Sequence, residues 1–165
     1  MRKNSPRPKT LIIVRHAHRD KAAGRERDNG LSAKGKRQTE RLLTYFDSRY
    51  RDTRPYMVSS PKVRCVETLL PLAKKEKTEL QISTLLLEQG SQETKKAMAK
   101  RVKRFCDWCR SPEAPELLVA CSHGDWIPVC LEELTGVTVH LSKAGWAEIE
   151  WSRGQAELRW LLQEV

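Results

Sequence analysis

The apolar positions of this chain fall into short blocks separated by polar, turn-forming stretches. Leu11-Ile12-Ile13-Val14 is a continuous apolar run rich in β-branched residues, the pattern of a strand buried on both faces. Residues 18–30 are polar and glycine-containing and read as a loop. Ser32 then caps a predicted helix over about 33–50, with Leu42, Leu43, Tyr45 and Phe46 as its apolar stripe. A second strand, Tyr56 to Ser60, is ended by Pro61, a residue suited to the first turn of a helix reaching about Lys75. Leu80-Gln81-Ile82 alternates as a third strand. A long basic helix is predicted from about Glu93 to Arg110, where Met98, Val102, Phe105 and Cys109 recur three or four positions apart, and Pro112 and Pro115 break the chain after it. Leu117 to Cys121 is the next buried strand, with Ser122-His123-Gly124-Asp125 at its carboxyl end and a helix beyond. Gly145 to Trp151 and Gln155 to Leu162 alternate with a period of two around Ser-Arg-Gly, which predicts an antiparallel hairpin.

Strand alternating with helix predicts an α/β fold: a three-layer sandwich, its central sheet mostly parallel with helices on both faces, closed by the C-terminal β-hairpin. A length of 165 residues with 39% hydrophobic content suits one domain, expected over 10–165 after a flexible basic leader at 1–9. No stretch approaches the roughly 20 apolar residues that cross a bilayer. The N-terminal segment offers four consecutive apolar residues, where a signal peptide needs about 7–15, so the expected location is the cytoplasm. The five cysteines are an odd number and read as reduced thiols. Cys106 and Cys109 end a basic helical stretch instead of opening a helix after a strand. With no second pair to complete a four-thiolate zinc site, they read as structural.

Charge changes the picture. The formal net charge is +10, distributed as +9 over residues 1–41, +7 over 42–111 and −6 over 112–165. A basic body attracts anions. Lys95 to Arg110 could serve as a nucleic-acid helix, but the aromatic residues, at 6%, are not interleaved with the basic runs as a stacking platform requires. Phosphate is the better-supported ligand and nucleic acid is disfavoured.

In open α/β sheets, ligands sit beyond the carboxyl ends of the strands. Arg15 and His16 end the first strand, Arg64 stands early in the helix after the second, and Ser122-His123-Gly124 ends the fourth. Arginine binds phosphate oxygens bidentately and stays charged at any working pH. A neutral imidazole is a competent nucleophile toward phosphorus, and a second, protonated histidine could offset the charge that spreads over the phosphoryl oxygens. These roles fit His16 and His123. Cys65 and Cys121 neighbour these motifs but lack the single phosphate-cradling loop of a cysteine phosphatase, and read as buried small hydrophobes. The four histidines include no helix-spaced pair with a carboxylate, so no metal is expected, and no cofactor is implied.

Three segments, Leu-Ile-Ile-Val-Arg-His, Ser-Ser-Pro-Lys-Val-Arg-Cys-Val-Glu-Thr and Val-Ala-Cys-Ser-His-Gly-Asp, stand in that order, each at a strand end. Together they resemble the histidine phosphatase superfamily (branch 1), of phosphoglycerate mutase-like fold, over residues 11 to about 135. The chain's length is most like that of the small SixA-type phosphohistidine phosphatases. The resemblance implies catalytic roles for Arg15, His16, Arg64 and His123; the candidate phosphate-binding residues are Arg15, Arg64, His123 and Gly124, with Arg19 from the following loop. Asp28 to Gly35 resembles the family's Leu-Thr-x-x-Gly segment and implies structural support.

Three departures stand out. Ala17 replaces a usual glycine, which would restrict how closely backbone approaches phosphate. His18, Arg19 and Lys21 make the following loop more positive than a bare phosphate needs; they read as rim contacts to a larger anion or as solvated loop residues. Glu88 stands where much of the superfamily places a general acid, which the small phosphohistidine phosphatases can lack. Inside the site it argues for ester substrates; on a loop surface it says nothing. Asp125 is a further carboxylate, explained equally by a helix N-terminus. The expected function is a metal-independent phosphatase acting through a phosphohistidine at His16, with protein phosphohistidine favoured as substrate over small phosphate esters such as sugar phosphates, and inorganic phosphate as product. A mutase is disfavoured for want of inserted segments that would build a lid. A non-catalytic phosphate- or phosphoprotein-binding module is the alternative of another class.

Overall fold

A computed structural model describes residues 9–164. The elements follow in the order β1 (Thr10–Arg15), α1 (Ala33–Tyr50), β2 (Tyr56–Ser59), α2 (Val63–Glu76), β3 (Leu80–Ile82), α3 (Lys95–Arg110), β4 (Leu117–Ser122), α4 (Trp126–Thr135), β5 (Trp146–Ser152) and β6 (Gln155–Leu162), with a short 3-10 turn at Thr84–Leu86. They build one six-stranded sheet in the order β3-β2-β4-β1-β5-β6. The first four of these strands are parallel, and β5 joins β1 antiparallel before turning into β6.

The unbroken apolar run of β1 is explained by helices on both faces. Leu11 and Ile13 enter a core with Val102, Phe105, Trp126 and Leu131 of α3 and α4. Ile12 and Val14 enter the opposite one with Leu42, Phe46, Cys65 and Leu69 of α1 and α2. All four β1 side chains are at most 2% exposed. The five cysteines are buried and unbridged; Cys106 and Cys130 Sγ lie 3.6 Å apart, so Cys106 packs against α4 instead of pairing with Cys109.

Several boundaries differ from the sequence expectation for physical reasons. Helix α2 begins at Val63, two residues after Pro61. Its N-cap, Lys62, makes no side-chain cap bond, and the Asp28 carboxylate accepts from Val63 N at 3.1 Å instead. Helix α3 begins two residues later than expected, capped by Thr94, whose hydroxyl accepts from Ala97 N. Of the expected leader, residues 1–8 lie outside the described residues. Lys9 is held: its carbonyl accepts from Trp151 N and its Nζ donates to Ser111 O at 2.6 Å.

Among the described residues no helix is long and apolar enough to cross a membrane. The parallel register places the site: Arg15 is level with Ser122, and Ser59 with Cys121. The residues after β1, β2 and β4 therefore emerge at one edge of the sheet.

Candidate active site

At that edge a cavity of about 340 Å3 is lined by Arg15, His16, Arg64, Glu88, His123, Gly124, Asp125 and Lys143, with His18, Arg19, Lys21 and Arg25 along its loop side. Every site residue expected from the sequence is present there.

His16 is buried, and its Nδ1 lies 2.9 Å from Ala17 O. A carbonyl only accepts, so Nδ1 carries the proton and Nε2 keeps its lone pair. Two cationic donors meet that lone pair, Arg64 Nε at 3.3 Å and Lys143 Nζ at 3.2 Å. Burial first, and then Lys143, push the imidazole pKa down to about 2, so His16 is neutral at any ordinary pH.

Arg64, 3% exposed, is the hub. Besides His16, its Nη2 donates to Glu88 Oε2 at 2.7 Å and lies 3.2 Å from His123 Nδ1, while Nη1 stands 3.6 Å from Asp28. Since guanidinium only donates, His123 Nδ1 accepts and its Nε2 faces the Ser60 hydroxyl at 2.8 Å. Burial and then Arg64 hold His123 down at about 3. The protonated His123 expected from the sequence is therefore corrected for the unliganded site: among so many cations it is neutral. A phosphate dianion brought against Nδ1 would favour its protonation.

Arg15 donates from Nη1 to Leu141 O at 2.6 Å, and its buried Nε has no partner among the described residues. Its guanidinium lies against Gly124, where a Cβ would fall 2.6 Å from Cζ, so any larger residue there would displace the Arg15 side chain. Gly35 is required more strictly: a Cβ there would collide with the backbone carbonyl of His18, which cannot move aside. Thr68 Oγ1 accepts from Ala17 N at 2.9 Å and donates to Arg64 O, tying α2 to the loop after His16. The Ala17 methyl is fully buried in the core under α1 and α2, away from the cavity, so the expected restriction on phosphate approach does not arise.

Glu88 is in the site. Its loop is fixed by Arg101, which donates to the carbonyls of Leu85 and Leu87, and by Asp125, which accepts from Gln89 N at 2.8 Å while capping α4. In α3, Arg101 is thus occupied, and Lys103 and Arg110 pair with Asp107 and Glu133. That leaves the basic helix less of a nucleic-acid surface than its sequence suggests.

Sequence reasoning missed Lys143. It sits on the turn before β5, where Gly145 N donates to Ser142 O and Ala144 N donates to both Arg15 O and His16 O. Ala144 adopts φ +60°, a conformation costly for a residue with a Cβ. The turn is thus pinned to the backbone of Arg15 and His16. Burial, and then Arg15 and Arg64, lower the Lys143 pKa to about 8. One signal was available: Lys143 is among only three cations in the acidic stretch 112–165.

The model of the Histidine phosphatase superfamily (branch 1) matches residues 11–91. Among curated proteins none matches the sequence significantly. Among solved structures, the alpha-ribazole phosphatase from Shigella flexneri superposes with a TM-score of 0.79 at 16% identity, covering 94% of this chain and 96% of that one. The protein histidine phosphatase SixA complexed with tungstate gives 0.75 at 15%, covering 93% and 96%. A mycobacterial glucosyl-3-phosphoglycerate phosphatase gives 0.68 at 17%, covering 91% and 96%. At these identities the likeness is one of fold.

Proposed function

Because the chain belongs to the histidine phosphatase superfamily, branch 1, we propose that it is a metal-independent phosphatase that hydrolyses phosphate esters through a phosphohistidine at His16. The observation that carries this reading is the His16 Nε2 lone pair, set by the Nδ1 contact to Ala17 O and faced by two cationic donors in an open cavity. Three cations, Arg15, Arg64 and Lys143, supply the positive charge that a metal would otherwise bring to a phosphoryl group.

The reaction divides into two displacements. In the first, Nε2 attacks phosphorus, the bond from phosphorus to the ester oxygen breaks, and Glu88 gives the departing oxygen its proton. In the second, water attacks phosphorus while the Glu88 carboxylate takes its proton, the bond from phosphorus to nitrogen breaks, and phosphate leaves. The guanidinium groups of Arg15 and Arg64, both lining the cavity, provide donors for the phosphoryl oxygens. The position of Glu88 moves the preferred substrate from phosphohistidine, favoured by chain length, to an ester, whose leaving alkoxide needs a proton.

A second reading, protein phosphohistidine, is favoured by the rim of half-buried Arg19 and exposed Lys21 and Arg25, which could meet a protein surface.

The test is phosphate release in chelator from a panel of phosphate esters and a phosphohistidine protein, comparing wild type with His16→Ala. Release from esters, abolished in the variant and accompanied by an acid-labile phosphoenzyme in the wild type, is expected. Release from phosphohistidine alone would select the second reading, and no release from any compound would leave a binding module.

A further inference from the structure

Beside the catalytic cavity lies a second one, of about 470 Å3, lined by Lys34, Arg37, Gln38, Arg41, Ser142, Lys143 and Glu164. Lys143 belongs to both. Gln38 forms the partition: its Oε1 accepts from His18 N at 2.9 Å and its Nε2 donates to Lys143 O at 3.3 Å, so one side chain fixes the two backbone segments where the cavities meet. Positions 34, 37, 38 and 41 share one face of α1, which brings three cations to one wall against the single carboxylate of Glu164.

This arrangement costs stability in the absence of a ligand. The first turn of α1 holds no acidic residue, and Lys34 faces the positive end of the helix dipole. Lys34 and Arg37 are spaced i,i+3, and Arg37 and Arg41 i,i+4, so each pair repels. Among the described residues neither Lys34 nor Arg37 has an ion-pair partner. The field continues into the active site, because Lys34 and Lys143 both act on His18, which lines the catalytic cavity. A scissile phosphoryl at His16 already has Arg15, Arg64 and Lys143, so these further cations are in excess of its needs.

We propose that the cavity on α1 is a second anion subsite, which takes a phosphate or carboxylate group carried elsewhere on the same small substrate whose scissile phosphoryl lies at His16. This rests on the phosphatase reading above and narrows its substrates to esters with two anionic groups. Lys143 stands between the two anions and serves both.

The test compares alkanediol bisphosphates of three to six carbons with the matching alkyl monophosphates at low ionic strength, where charge interactions are least screened. In the wild type the best bisphosphate is expected to exceed its monophosphate at least tenfold in kcat/KM, with the difference in KM. In Lys34→Glu/Arg37→Glu the ratio is expected to fall at least fivefold. Equal kcat/KM for both ester types at every spacer, or a ratio unchanged by the double reversal, overturns the proposal. Phosphopeptides with and without flanking aspartates are assayed alongside; a preference for acidic flanks without one for bisphosphates overturns the small-substrate assignment. Absence of all turnover would instead defeat the phosphatase reading. Calorimetric titration still decides the subsite in that case: tripolyphosphate must bind the wild type at least tenfold tighter than inorganic phosphate and lose that advantage in the double variant, and equal binding overturns the proposal.

Discussion

At the scale of single residues, the proposed division of labour between Glu88 and Lys143 separates in kinetics. Glu88 as general acid matters in proportion to how badly the leaving oxygen needs a proton. Glu88→Gln is therefore expected to slow an alkyl phosphate by about 10²-fold, within the usual range for general acid catalysis, while p-nitrophenyl phosphate, whose phenolate departs unaided, loses much less. A uniform loss for both would show Glu88 acting only by holding Arg64. Lys143, 3.2 Å from His16 Nε2, would contribute as a cation. A charge-assisted hydrogen bond is worth about 1.5–3 kcal/mol, so Lys143→Met is expected to lower kcat/KM roughly 10- to 150-fold. Because the Lys143 pKa is lowered to about 8 in the free site, the cation is present below that pH and disappears above it. The wild-type kcat/KM profile should fall through an alkaline limb near pH 8 that Lys143→Met lacks and Lys143→Arg moves upward. An unaltered limb in both variants would assign that titration to another group.

At the scale of elements, the hairpin carries a group that alternation alone misplaces. In Trp146-Ala147-Glu148-Ile149, Ala147 and Ile149 face the α3/α4 core, and the opposite positions would ordinarily be solvated. Helix α1 covers them instead. Trp146, Tyr45, Phe46, Tyr50 and Trp160 form an aromatic cluster, and Glu148, 2% exposed, reaches Arg49 at 3.3 Å. Arg49→Met would leave a buried carboxylate without its cation. Breaking a buried pair costs about 3–5 kcal/mol; with the Arg49 side chain 39% exposed, solvent screening reduces the expected loss to about 1–2 kcal/mol, measured by urea denaturation. A loss below 0.5 kcal/mol, on the order of a neutral surface substitution, would mean that the Tyr50 hydroxyl, which also hydrogen-bonds Glu148, suffices without the cation. The same distinction explains what could be read in advance. The β1 run, the α1 stripe with Ser32 as its cap and the alternation of the hairpin are local signals, and each element stands where those signals put it. The insertion of β4 between β1 and β2, the cap that Asp28 supplies to α2 and the approach of Lys143 to His16 join residues far apart in sequence. No local periodicity encodes them. Arg15, His16, Arg64 and His123 were legible because each ends a parallel strand, directly follows one or stands in the first turn of the helix after one, where a parallel sheet collects its ligands; Lys143 sits on the turn into an antiparallel strand.

At the scale of the whole molecule, a basic protein that concentrates cations around two neutral histidines couples its stability to pH and to anions together. His16 and His123 have folded pKa values pressed to about 2 and about 3, against roughly 6.5 in an unfolded chain. Below pH 6.5 the unfolded chain therefore takes up protons that the folded one refuses. Stability must fall as pH drops through that window, a loss that continues until the folded values are reached. For two such groups the loss between pH 7 and pH 5 is on the order of 4 kcal/mol. At about 2–4 °C per kcal/mol for a domain of this size, the thermal midpoint should fall by roughly 8–16 °C. A dianion in the site reverses the electrostatics around both imidazoles, so saturating tungstate or vanadate should protect more strongly at pH 5 than at pH 7. His123→Gln removes one of the two titrations and should flatten the pH dependence of the unliganded protein. Scanning calorimetry at both pH values, with and without oxyanion, reads all of these effects. Equal protection at the two pH values, with an unchanged slope in the variant, would mean that the histidines are already protonated in the folded protein and that His16 lacks the free lone pair its proposed chemistry requires.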